Sequence, residues 1–71
     1  MDLLDIKRNL NKAVVFTDKR LGVIGHKFLL SAVIARKNEA GDFVYTVELS
    51  GINANSVTIT TLDKIEEVKN E

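Results

Sequence analysis

Two alternating runs around a single turn sequence constrain this chain more than anything else in it. From Lys27 to Lys37, Phe28, Leu30, Ala32 and Ile34 fall on one face, with Leu29, Ser31, Val33 and Ala35 on the other. A period of two is the side-chain repeat of a β-strand. Both faces are fairly apolar, which predicts a strand covered on two sides. Asn38-Glu39-Ala40-Gly41 then reads as a four-residue hairpin turn, with Gly41 supplying the positive φ. In the returning run, Phe43, Tyr45, Val47 and Leu49 are expected to face the core, and Val44, Thr46, Glu48 and Ser50 to face outward.

The remaining segments extend this hairpin into a mainly β domain. Gly51-Ile52-Asn53-Ala54-Asn55 is a second turn, with Gly and two Asn suited to left-handed conformations. Ser56–Thr61 is a further strand, expected to turn Val57 and Ile59 inward and Ser56, Thr58 and Thr60 outward. Leu62-Asp63-Lys64-Ile65 breaks the alternation and suits one 3₁₀ turn before a short last strand over 66–69. A C-terminal helix over 62–70, with Leu62, Ile65 and Val68 at helical spacing, is the rival reading. Ahead of the hairpin, Ala13–Thr17 is a brief β-type run. A connection carrying Gly22 and Gly25 together with Leu21, Val23 and Ile24 follows it, folded back on the body or partly extended. Residues 1–12 read as a short helix. Asp2 is its N-cap, and Leu3, Leu4, Ile6 and Leu10 form its apolar stripe. A helix this short needs a surface to pack on, either the end of a barrel or another copy of the chain.

Seventy-one residues allow one domain, 1–71, with a helix over 1–12 and a small β-barrel over 13–71. A chain of this size buries roughly 60% of its unfolded surface, so it has room for one small core and none for an enclosed active-site cleft. There is no cysteine, which excludes a disulfide framework and a thiolate metal site and points to a reducing, cytoplasmic setting. No stretch approaches the ~20 apolar residues of a membrane span, so no membrane partner is expected. Asp2 and Asp5 at the start argue against a signal peptide. The net charge of zero hides an asymmetry: residues 1–37 hold eight bases and three acids, a net of +5, and residues 38–71 hold two bases and seven acids, a net of −5. Such a split can mark a nucleic-acid face. In an antiparallel domain the halves interleave, so mutual neutralisation is the plainer expectation.

A strand, a long meandering connection, three consecutive antiparallel strands, a 3₁₀ turn and a final strand follow in the order of an SH3-like barrel. Over residues 27–68 the chain resembles the small uncharacterised SH3-like proteins encoded by phages and prophages of Gram-positive bacteria. The residues that carry the likeness are Tyr45-Thr46-Val47-Glu48-Leu49, Asn55-Ser56-Val57-Thr58-Ile59 and Leu62-Asp63-Lys64-Ile65-Glu66. The resemblance implies an SH3-like barrel of four to five strands and an accessory role in a mobile element, and it transfers no catalytic or ligand residue.

Little in the chain offers chemistry. His26 is the only histidine, and with no cysteine there is no nucleophile–base–orienter set to assemble around it, so no enzyme is expected. No cofactor is implied: Gly22-Val23-Ile24-Gly25 lacks the spacing of a phosphate-binding loop, and no metal-ligand pattern is present. What remains is binding. Lys7, Arg8, Lys12, Lys19 and Arg20 could gather where the helix meets the first connection, and Leu21 and Ile24 are hard to bury in so small a core. These seven residues are the candidate contact surface for a host protein or for a second copy of the chain. Nucleic acid is the alternative partner, although inward-facing aromatics would leave it no stacking platform. An anionic small molecule such as a nucleotide, held between subunits, is a third.

Overall fold

The long hairpin forms and organises everything else. In the computed structural model, which describes residues 1–52 and 55–68, the elements run α1 (Leu3–Arg8), β1 (Ala13–Asp18), a 3₁₀ turn (Lys19–Leu21), β2 (Val23–Lys37), β3 (Phe43–Gly51), β4 (Val57–Thr61), a second 3₁₀ turn (Leu62–Lys64) and β5 (Ile65–Glu67). All pairings are antiparallel, and the strands lie in the order β4-β3-β2-β1-β5. β4 and β5 are therefore the two edges of one five-stranded sheet. Among the described residues no ladder joins them, so a five-stranded sheet with a short N-terminal helix is what the chain forms.

Local sequence accounts for most of the element ends. The Asp2 carboxylate accepts the Asp5 amide at 2.9 Å and caps α1, as its position suggests. The helix is six residues long, shorter than the stretch over 1–12. Asn38 and Gly41 build the hairpin turn: the Asp42 amide donates to Asn38 Oδ1 at 3.0 Å, and Gly41 takes φ 87°. The expected 3₁₀ turn and short last strand both form, so the rival helix does not exist over Leu62–Val68. Asn70 lies outside the described residues, as do Asn53 and Ala54 of the second turn and Lys69 of the expected last strand. The connection after β1 is tighter than expected. Gly22, at φ 71°, ends the first 3₁₀ turn, and β2 begins at the next residue.

The core is small. Ile6, Val14, Phe16, Leu30, Val47, Leu49 and Ile65 are fully buried, with Met1, Leu10, Val23, Phe28, Val33 and Leu62 packed around them. Phe16 and Phe28 meet edge to face at 5.6 Å. The single α1 residue in this core is Ile6, so the helix acts as a plug over the inner face of the sheet.

Three strand-level expectations fail, each for a physical reason. First, Phe43 is 62% exposed and Tyr45 is half-buried, although they share a strand face with buried Val47 and Leu49. β1 pairs with β2 only as far as Leu29, and β4 pairs with β3 only as far as Thr46. Beyond those points the hairpin is a two-stranded ribbon with no third layer to cover it. Second, Ala32 and Ile34 do not share a face with Phe28 and Leu30. Leu30 pairs with Leu49 and Ala32 with Glu48, so Ser31 is an extra, bulged residue that inverts the alternation beyond it. Its hydroxyl hydrogen-bonds the Ser50 hydroxyl. Third, Val57 and Ile59 point outward while Thr60 is buried and Thr58 half-buried. The Gly51 amide donates to the Ser56 carbonyl at 2.9 Å and closes the turn so that Ser50 faces Val57 and Glu48 faces Ile59. A one-residue difference in turn length exchanges the two faces of a strand, and here the turn overrides the hydrophobic pattern.

Candidate interaction surface

These register effects leave apolar side chains on the outside of the sheet. On the face opposite α1, Val44 from β3 and Val57 and Ile59 from β4 are all exposed, the last two at 62% and 53%. Half-buried Ile34 lies on the same side, diagonal to Val44 and opposite Thr46. Thr46, Thr61, Glu48 and Ser50 complete the surface. Among the described residues nine large apolar side chains are exposed against seven that form the buried core. Val44 faces outward as the alternation of β3 predicts, whereas the bulge at Ser31 adds Ile34 and the closure of the β3–β4 turn adds Val57 and Ile59, and neither of these has a composition signal. The Val57-Thr58-Ile59-Thr60-Thr61 alternation itself was legible, but its parity was not.

The residues singled out from sequence do not form one patch. Lys7, Arg8 and Lys12 are exposed on and just after α1. Lys19 and Arg20 are exposed in the 3₁₀ turn after β1. The intervening strand is six residues long, about 20 Å of extended chain at roughly 3.3 Å per residue. Leu21 and Ile24 are exposed, as the small core requires, beside Lys19 and Arg20 rather than beside the helix bases. Gly25 takes φ 61° and donates its amide to Thr17 Oγ1 at 2.9 Å.

Charge balance further weakens the basic cluster. Lys19 and Arg20 line an open depression of about 370 Å³ that also takes in Thr17, Asp18, Asp63, Lys64 and Glu66. Three bases meet three acids there, which brings the oppositely charged halves of the chain together. Asp18 is buried. It accepts the Arg20 amide at 3.0 Å and lies 3.9 Å from the Arg20 guanidinium. Arg8 is 3.8 Å from Asp5, an exposed pair worth little. At the hairpin tip, Phe43 stacks on Tyr45 at 6.4 Å, contrary to the expectation that no aromatic platform would be exposed. Arg36 and Lys37 are matched there by Glu39 and Asp42, so the tip offers stacking without net positive charge.

On the depression rim Asp63 has a lowered titration. A side-chain hydrogen bond with Thr61 holds its carboxyl below the ordinary carboxylate value, with help from a backbone hydrogen bond and the nearby Lys64. A carboxylate held low in the folded state contributes stability above its unfolded pKa, and that contribution is lost as pH falls through the folded value. In an NMR pH titration Asp63 is therefore expected to lose its charge at lower pH than an ordinary aspartate. Thr61→Val should move its midpoint upward, and an unmoved midpoint would refute the role given to Thr61.

His26 is exposed and pairs across the ladder with Phe16. Among the described residues no three His, Asp or Glu side chains gather as a metal site, and no helix is long and apolar enough to cross a membrane. Comparison of the chain with family models, curated proteins and solved structures finds no match.

Proposed function

We propose that this chain is a non-catalytic accessory protein that acts by contact with another macromolecule, a host protein or a second copy of itself, through the outer face of β3 and β4. The observation that carries this reading is that Val57 and Ile59 stand exposed as neighbours on the outer face of β4, with exposed Val44 on the same face of β3. Contiguous exposed apolar surface on a small domain is characteristic of a contact surface. The strand order β4-β3-β2-β1-β5, with the last strand returning to the first, supports reading the sheet as the wall of an SH3-like barrel. The resemblance to small SH3-like phage proteins supports an origin in a mobile element, and the absence of cysteine supports a cytoplasmic setting. Nucleic-acid binding is the weaker reading, because the bases divide between two sites and acids accompany those at Lys19 and Arg20.

The test uses Val44→Ser combined with Ile59→Ser. Both side chains are exposed, so the double variant is expected to keep its fold, with a stability change of about 0.5 kcal/mol or less per site. It should lose whatever assembly the parent shows, either self-association in sedimentation or a partner retained from host extract. Assembly that persists unchanged in a folded double variant refutes the outer face as the contact surface.

A further inference from the structure

The two edges of the sheet are built differently. β5 is three residues long and carries Glu66 and Glu67, which resembles the short, charged edge that discourages strand addition. β4 is five residues, Val57-Thr58-Ile59-Thr60-Thr61, all β-branched, with no charge, proline or bulge. It lacks the usual protections of an edge, and its residues strongly favour extended backbone.

The backbone of β4 also points the right way. The Gly51 amide bonds the Ser56 carbonyl, and Ser50 faces Val57 in the next rung. Alternation along an antiparallel ladder then turns the backbone groups of Thr58 and Thr60 toward β3 and those of Val57, Ile59 and Thr61 away from it. Among the described residues the ladder partner of β4 is β3 alone, and the Thr61 carbonyl also opens the second 3₁₀ turn as its N-cap.

Resting on the reading of the outer face as a contact surface, we propose that its partner is a second copy of this chain, joined by antiparallel pairing of β4 with β4 about a two-fold axis at Ile59. A two-fold contact requires a surface that complements itself. Centred on Ile59, the pairing sets Val57 against Thr61, Thr58 against Thr60 and Ile59 against its own copy, and it uses all five residues. The outward backbone groups of Val57, Ile59 and Thr61 meet their counterparts as hydrogen-bonded pairs. Because the strand carries no charge, a second copy brings no like charge to the axis, whereas β5 would set glutamates against glutamates. The product is a continuous ten-stranded sheet whose outer face joins the Val44, Val57 and Ile59 clusters of both copies.

The experiment combines sedimentation of the intact chain with two substitutions. The parent is expected to sediment at twice its 7.9 kDa and to dissociate on dilution. Ile59→Lys places two ammonium groups at the axis and should reduce the mass to that of one chain while the circular dichroism stays that of the parent. Since the chain has no cysteine, Ile59→Cys adds a unique thiol. A short bis-maleimide should link it into a dimer at least tenfold faster than it links Ile24→Cys, an exposed site on β2, two strands away from β4. A monomeric parent, a dimer that survives Ile59→Lys, or equal linking of the two cysteines overturns the pairing. A monomeric parent whose capture of another protein is lost in the Val44→Ser, Ile59→Ser double variant would overturn this pairing alone and leave the outer face as a contact surface.

Discussion

Phe16→Ala is expected to remove most or all of the cooperative folding of this domain. Phe16 is fully buried and lies where β1 meets both neighbours, opposite His26 on β2 and Ile65 on β5, with its ring against Phe28. Truncating a buried phenylalanine costs about 3–5 kcal/mol, in lost transfer energy and in the cavity left behind. A chain of 71 residues has a total stability of about 4–10 kcal/mol. The loss is therefore comparable with the whole. The chemically identical change at Phe43 removes an exposed ring whose aromatic neighbour is Tyr45, and should cost about 1 kcal/mol or less. Urea unfolding followed by circular dichroism distinguishes the two. If the two variants unfolded at similar midpoints, the boundary between core and ribbon drawn here would be wrong.

That contrast also shows what could be read from sequence. Phe43, Tyr45, Val47 and Leu49 are four equivalent positions of one alternating run, and the alternation correctly placed them on one face. Whether a face is covered depends on the lengths of the neighbouring strands. β1 and β4 stop short of the hairpin tip, and nothing in the Phe43–Leu49 segment records where they stop. The hairpin, its turn at Asn38–Gly41, the cap at Asp2 and the 3₁₀ turn at Leu62 were all legible, because each depends on residues close in sequence. The parity of β4 and the bulge at Ser31 were not. Both are fixed by a rung of the ladder between distant residues, Gly51 with Ser56 and Leu30 with Leu49, and one rung of difference reverses a whole face. Ile34, Val57 and Ile59 join the candidate contact surface through those same two rungs, whereas Val44 follows from the alternation.

Ile6→Ala is expected to release α1 from the sheet. Six residues form too short a helix to persist in water without packing, and Ile6 is the single residue it buries. Met1 and Leu10 flank the core on either side of it, while Leu4 faces solvent. Removing the Ile6 side chain costs about 2–5 kcal/mol. Leu4→Ala, a truncation of the same kind in the same helix, should stay within about 0.5 kcal/mol. Hydrogen exchange gives the local readout. The Ile6 amide donates to Asp2 at 3.0 Å and the Asn9 amide to Asp5 at 3.1 Å, and both should lose protection in Ile6→Ala. If the helix is a plug seated on a sheet that is stable without it, the β2–β3 amides stay protected; if the inner face depends on its cover, they are lost together with the helix. In either case the helix amides open first or simultaneously. Retained protection at Ile6 and Asn9, with a stability loss below about 1 kcal/mol, would mean that the helix is held by something other than this one side chain.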